Sequence, residues 1–136
     1  MKKLATTVLG LTLVATASTA AFAGYKYGYQ TTILTFPTYS MAYGSIGSTR
    51  NSADNIQYIG CQMYANTSYS VMDCFARDVT GKYLSCYNRE NQGLKDSVAA
   101  ISDGAHVSFQ TDPADQTKCG FVQVVTGSHM AEPPQL

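Results

Sequence analysis

Four cysteines, Cys61, Cys74, Cys86 and Cys119, are the residues of this chain whose number and spacing say most about its chemistry. No two of them have the C-x-x-C spacing that is typical of thioredoxin-like redox sites and of zinc ribbons. We therefore predict that they form two disulfide bonds, and that the chain carries no metal and no other cofactor.

Few residues could form a catalytic site. The chain has two histidines, His106 and His129, and Ser48, Ser52 and Ser108 are possible nucleophiles. No G-x-S-x-G elbow surrounds any of these serines. Paired carboxylates for glycoside hydrolysis have little support, since there are only two glutamates and five of the aspartates have turn or strand-edge explanations. These five are Asp73, Asp78, Asp103, Asp112 and Asp115. We therefore predict a protein that is not an enzyme, and a small secreted hydrolase remains an alternative.

A polar cluster begins at Arg50 and includes Asn51, Ser52 and Asp54. Its first interpretation is a recognition loop or an anion site, in which Arg50, Asn51 and Asp54 would contact the ligand. The alternative is a structural loop, held by an Arg50–Asp54 contact and by bonds from Asn51 and Ser52 to the backbone.

Tyrosine is abundant, with ten residues and no tryptophan in the chain. Tyr25, Tyr27 and Tyr29 alternate with small or charged residues, which predicts an extended strand with one aromatic face. Tyrosine combines an apolar ring with a hydroxyl group, and both glycan stacking and protein contact use it. Sheet packing is the competing explanation for the tyrosines as a whole.

The elements that would position these residues are mostly β-strands. A short β-like run at Ile33–Phe36 ends at Pro37, and residues 44–55 have the composition of a loop. Short turns connect the next three alternating runs, so these runs predict an antiparallel meander. The predicted strands are 56–65, 70–78 and 82–88 in the meander, then 105–111 and 118–126 as a final hairpin.

One helix is predicted, over about residues 90–102. Leu94, Val98 and Ile101 recur at helical spacing, and Asn88 or Asn91 could provide the N-cap. The fold class is therefore mainly β (α+β), with five to seven strands, one short helix and two disulfides. The architecture would be a small OB-like barrel or an antiparallel sheet covered by the helix.

Strand pairing limits how the cysteines can bond. Symmetric turns would place Cys74 opposite both Cys61 and Cys86, which would leave Cys61 and Cys86 roughly 9–10 Å apart, too far to bridge. Two connectivities remain. We favour Cys61–Cys74 with Cys86–Cys119 over Cys74–Cys86 with Cys61–Cys119.

The first 23 residues have the pattern of a secretory signal peptide. Lys2 and Lys3 precede an apolar run, and Ala21-Phe22-Ala23 forms a cleavage site. The remaining chain divides into a Tyr-rich segment (24–46), a disulfide-stabilised β domain (47–127) and a flexible tail (128–136). We expect a secreted or periplasmic protein, because disulfides form in such compartments.

Charge and hydropathy exclude two classes of partner. Without Lys2 and Lys3, seven basic residues face nine acidic ones, and no basic stripe is present. Nucleic-acid binding is therefore not expected, and no second apolar run is long enough to span a membrane.

The run from Gly47 to Asp54, GSTRNSAD, is followed by Tyr58-Ile59-Gly60-Cys61, Cys74-Phe75-Ala76-Arg77-Asp78 and Ser85-Cys86. Together with the stretch from Phe109 to Cys119, this pattern resembles a group of small exported bacterial proteins with four cysteines, whose function is not established. The likeness covers about residues 44–133. It implies a bacterial source and a small domain, and it implies no activity.

These observations predict a domain that acts by surface contact. Our first expectation is a self-assembling structural protein of the envelope or exterior, in which the N-terminal Tyr-rich strand adds to a sheet edge of another copy. The alternative is a monomeric binding module for a glycan, or an inhibitor of another organism's enzyme. The expected partner is thus the chain itself, an extracellular protein or a glycan.

Overall fold

The computed structural model describes residues 28–127 and 129–130. The predicted signal peptide, Tyr25, Tyr27 and residues 131–136 of the predicted tail lie outside these residues. Within the described residues, seven strands and two short helices follow one another. They are β1 (Thr32–Thr35), β2 (Ser40–Ser45), α1 (Ile46–Arg50), β3 (Tyr58–Ala65), β4 (Ser70–Arg77), β5 (Tyr83–Asn88), α2 (Gln92–Ala99), β6 (His106–Thr111) and β7 (Cys119–Val125).

The strands form two antiparallel sheets. One sheet has the order β1-β2-β6-β7 and the other has the order β3-β4-β5. A single bridge between Tyr87 and Lys118 brings the end of β5 to the start of β7. The mainly β fold class is therefore confirmed, and its strands are divided between two sheets.

One apolar core fills the space between the sheets. In the four-stranded sheet, Ile33, Ala42, Phe109 and Val122 form a buried row across all four strands. Apolar side chains of β3, β4 and β5 join the same cluster, and Val98 of α2 completes it. Alternate residues on each strand point to the same side, so the opposite faces of both sheets are directed outward.

Both favoured disulfides are confirmed. Cys61–Cys74 joins the neighbouring strands β3 and β4, and Cys86–Cys119 joins β5 to β7, which belong to different sheets. The register places Cys74 opposite both Cys61 and Cys86, as the symmetric turns predict.

The predicted meander is confirmed, and side-chain hydrogen bonds shape its two turns. In the β3–β4 turn, the side-chain oxygen of Asn66 accepts bonds from the backbone of Ser68 and Tyr69. In the β4–β5 turn, Asp78 Oδ1 accepts bonds from the backbone of Thr80 and Lys82. Gly81 adopts a φ of 85° there, a conformation that favours glycine.

The prediction of a loop over residues 44–55 is wrong at its start. Gly44 and Ser45 complete β2, and residues 46–50 form α1. A Cβ atom on Gly44 would lie 3.1 Å from the Cα of Thr31, so the missing side chain lets the two segments approach. Helix α1 is anchored by a tertiary bond from the Ile46 amide to the Ala105 carbonyl, 3.0 Å long. The composition of the segment does not predict that contact.

Helix α2 is shorter than the predicted helix over 90–102. Asn91 is the N-cap, and its side chain accepts a hydrogen bond from the Leu94 amide. Asn88 instead closes the preceding turn by accepting bonds from Glu90 and Asn91. Neither helix in residues 28–127 combines the length and apolar composition needed to cross a membrane.

The described part of the Tyr-rich segment belongs to the four-stranded sheet. Strand β1 pairs with β2, and β2 pairs in turn with β6. At the start of this segment, the carbonyl of Tyr29 accepts a 2.8 Å bond from the Ser45 amide. Residues 29–45 therefore pack on their own domain.

Candidate functional site

The outward face of the three-stranded sheet is unusually aromatic. Registers place Tyr58, Arg77 and Tyr83 in one row across it, followed by Gly60, Phe75 and Ser85, and then by Gln62, Asp73 and Tyr87. Tyr64 and Val71 extend the face at its far end. We call this surface the tyrosine face, and its members are Tyr58, Gly60, Gln62, Tyr64, Val71, Asp73, Phe75, Arg77, Tyr83, Ser85 and Tyr87.

The tyrosine rings of this face are partly accessible. Tyr64 and Tyr83 are each about half exposed, at 51% and 52%, while Tyr58 and Tyr87 are 39% and 38% exposed. Core burial explains the opposite face of the sheet, whereas these tyrosines pack only against neighbours on the surface, such as Phe75 beside Tyr58 and Arg89 beside Tyr87.

A shallow depression lies at one end of the tyrosine face. Tyr64 and Tyr87 flank it, Val71 lines it, and Asp73 and Arg89 add polar groups. A second depression, lined by Tyr87, Asn88, Arg89, Glu90 and Lys118, continues it toward β7. We call the two together the tyrosine groove.

Arg89 organises this groove. Its guanidinium carbon lies 5.6 Å from the ring centroid of Tyr69 and 5.8 Å from that of Tyr87. Cation–π attraction of this kind holds the aromatic rings in place. Lys118 and Glu90 form an ion pair of 3.5 Å at the other end.

Hydrogen-bonding groups stand beside the rings. Gln62 Nε2 donates to Asp73 Oδ2 over 3.3 Å, and this bond leaves the second carboxylate oxygen of Asp73 and the carbonyl of Gln62 for a ligand. The groove therefore combines apolar ring surface with carboxylate, amide and guanidinium groups.

The predicted polar cluster forms a folded loop. Asn51 Nδ2 donates to the Gly47 carbonyl, and Ser52 Oγ donates to the Asp54 carbonyl, as the structural interpretation predicts. Arg50 forms its ion pair with Asp103, at 3.3 Å, instead of the expected contact with Asp54.

Asp54 is fully engaged with the residues that follow it. Hydrogen bonds from the backbone of Gln57, the Gln57 side chain and the backbone of Ile56 lower the pKa of Asp54 from 3.8 to about 2. Its charge therefore stabilises the loop. Arg50, Asn51 and Asp54 each have a partner within the protein, and ligand contact by these three residues stays a prediction.

Of the three N-terminal tyrosines, only Tyr29 is described, and it lies beside His106. Their ring centroids are 5.1 Å apart, and His106 Nδ1 is 3.4 Å from Ser45 Oγ. Burial lowers the pKa of His106, which favours the neutral ring. Ser45 is only 1% exposed, so a substrate cannot reach its hydroxyl in this conformation.

The carboxylates of the β6–β7 turn have structural partners. Asp112 Oδ1 accepts a bond from the Ala114 amide, and Asp115 Oδ1 accepts bonds from the Thr117 amide and hydroxyl. Within the described ranges, no group of three or more His, Cys, Asp or Glu side chains could hold a metal ion.

Comparisons of the chain with protein-family models, with curated proteins and with solved structures find no significant match. The likeness to small exported four-cysteine proteins therefore stays a prediction.

The groove residues Tyr64, Tyr87, Arg89 and Lys118 are absent from the sites predicted from sequence. The position of Tyr64 could have been predicted from sequence, because the alternation of β3 directs Tyr58, Gln62 and Tyr64 to the side opposite Ile59. The positions of Arg89 and Lys118 depend on the meeting of β5 with β7, which no local pattern encodes.

Proposed function

We propose that this protein is an exported, non-catalytic β domain that binds a glycan in its tyrosine groove. The observation that carries the proposal is the pair of accessible rings, Tyr64 and Tyr87, on either side of a depression that also presents Asp73 and Arg89. Apolar ring faces suit the C–H faces of a sugar, and carboxylate and guanidinium groups suit its hydroxyls. Export is supported by the two disulfides, since such bonds persist in oxidising compartments.

Binding to purified polysaccharides tests this proposal. The oxidised protein is passed through native gels that contain a panel of soluble plant and bacterial cell-wall glycans, and retardation is measured. We expect at least one glycan to retard the wild type, and Tyr64→Ala and Tyr87→Ala to weaken that retardation about tenfold. A tenfold loss corresponds to about 1.4 kcal/mol, which is within the range for one aromatic contact.

Tyr83→Ala is the matched control, because Tyr83 is equally exposed but lies at the other end of the tyrosine face. Its retardation should stay close to that of the wild type. No retardation by any glycan, or equal losses in all three variants, would refute the groove as a glycan site.

Self-assembly by the part of the Tyr-rich segment that precedes Tyr29 is the second candidate function. One observation favours it: the edge of β3 between Cys61 and Ala65 is exposed and uncharged, so it can accept a further strand. The edge strand β1 is less suitable, because Lys82 Nζ donates to Thr35 Oγ1 and to the Ile33 carbonyl. Replacing Tyr25 and Tyr27 by serine should abolish such assembly and leave glycan binding unchanged.

A further inference from the structure

The edge of β3 that faces away from β4 is exposed along the second half of the strand. Gln62, Met63, Tyr64 and Ala65 are all exposed, and the strand contains no charged residue and no proline. Natural sheets usually protect such an edge with a charge, a proline or a covering element. β1 has the Lys82 contacts, and β5 has a backbone bond from the Tyr87 amide to the Thr117 carbonyl.

The direction of the backbone groups on this edge follows from the pairing of β3 with β4. The Cα atoms of Cys61 and Cys74 are 4.0 Å apart, which is typical of a non-hydrogen-bonded antiparallel pair. The N–H and C=O groups of Cys61, and by alternation those of Met63 and Ala65, therefore point away from β4. Among the described residues, these outward groups have no hydrogen-bonding partner.

This row of donors and acceptors is complementary to itself. If a second β3 lies antiparallel beside the first, with a two-fold axis at Met63, then Met63 faces its own copy and Cys61 faces Ala65 of the other copy. Each facing pair has both backbone groups directed at the other, as a hydrogen-bonded antiparallel pair requires. A two-fold interface needs this kind of self-complementarity.

The side chains fit the same arrangement. Met63 is 47% exposed although it lies on the inward side of β3, and the axis would pair it with the Met63 of the second copy. On the outward side, Tyr64 of each copy would lie beside Gln62 of the other. No like charges would be brought together, since the strand carries none.

We infer that two copies of this protein associate through β3, in antiparallel register about Met63, to form one continuous six-stranded sheet. The two tyrosine faces then become one surface, with a Tyr64 from each copy near the axis. The inference concerns a second copy of the chain, and it does not depend on the glycan proposal.

Sedimentation velocity of the oxidised protein over a range of concentrations tests this association. We expect a monomer–dimer equilibrium that stops at the dimer. Met63→Lys should weaken dimerisation at least about tenfold, because it places two ammonium groups at the axis. Phe121→Lys is the matched control on edge strand β7, where the exposed fraction is 39%, and it should leave the equilibrium unchanged.

Amide hydrogen exchange adds a test of the register. The amides of Cys61, Met63 and Ala65 should become protected as the concentration rises, whereas those of Gln62 and Tyr64, already bonded to β4, should change little. A monomer at all concentrations would overturn the inference, and so would equal effects of the two lysine variants. The protein could also assemble beyond the dimer and lose this assembly when Tyr25 and Tyr27 are replaced by serine. That result would overturn the inference, because it would show that the N-terminal segment of another copy binds the β3 edge.

Discussion

Asp54 illustrates how single polar residues stabilise the loops of this protein. Its carboxylate accepts bonds from the backbone and side chain of Gln57 and from the backbone of Ile56. These bonds stabilise the charged form, and they fix the loop that leads from α1 into β3. The side chains of Asp78, Asn66 and Asp112 also accept backbone hydrogen bonds, which shape other turns.

The depressed pKa of Asp54 predicts a specific sensitivity to acid. Because the pKa is about 2 in the folded state and 3.8 ordinarily, its charge contributes stability above pH 4, and this contribution is lost as the pH falls from about 4 to about 2. Asp54→Asn should therefore lower the free energy of unfolding above pH 4 and differ less from the wild type near pH 2.

Urea unfolding between pH 2 and 7 measures this difference. Asn55→Ala, at an exposed neighbouring position, is the control, and its difference from the wild type should not vary with pH. A constant difference for Asp54→Asn over the whole range would show that its charge does not contribute to folding.

At the scale of elements, the three strands of the meander were the most predictable part of the chain. Their alternation is strong, and Asn66, Asp78 and Gly81 provide the turns between them. Helix α1 was not predictable, because residues 46–50 include glycine, serine and threonine and depend on the Ala105 contact. Of the tyrosine groove, only the aromatic side of β3 could be predicted from sequence. Arg89 and Lys118 lie in the groove because of the tertiary structure, which no local pattern predicts.

Replacement by alanine should affect stability differently at Gly81, in the β4–β5 turn, and at Gly104, before β6. Gly81→Ala should destabilise the protein by about 1 kcal/mol, because a Cβ atom is unfavourable at positive φ. Gly104→Ala should be close to neutral, since Gly104 does not have a positive φ and nothing lies within 4 Å of the added Cβ. Thermal unfolding compares the two, and equal melting temperatures for both variants would contradict the role of the turn.

At the scale of the whole molecule, the two disulfides connect different parts of the fold. Cys61–Cys74 closes a sequence separation of 13 within one sheet, whereas Cys86–Cys119 closes a separation of 33 and connects the two sheets. The second bond therefore restricts the unfolded chain more strongly.

Removal of Cys86–Cys119 should therefore destabilise the protein more than removal of Cys61–Cys74. Chain-entropy arguments give a loss of about 3 kcal/mol for the Cys61→Ala, Cys74→Ala variant and nearly 1 kcal/mol more for the Cys86→Ala, Cys119→Ala variant. Urea unfolding of the two double variants at neutral pH measures both losses. If the Cys61–Cys74 variant is the less stable one, the difference in loop length is not the deciding factor.

The Cys86–Cys119 bond also encloses α2 and β6 in a covalent ring. The connection between these two elements contains exposed residues at Ala100, Ser102 and Asp103. A protease that cuts the chain once anywhere between Cys86 and Cys119 would leave both fragments attached to each other, and the cut would be detected only after reduction. The disulfide thus allows the chain to be cut once in this exposed connection without separation of its two parts.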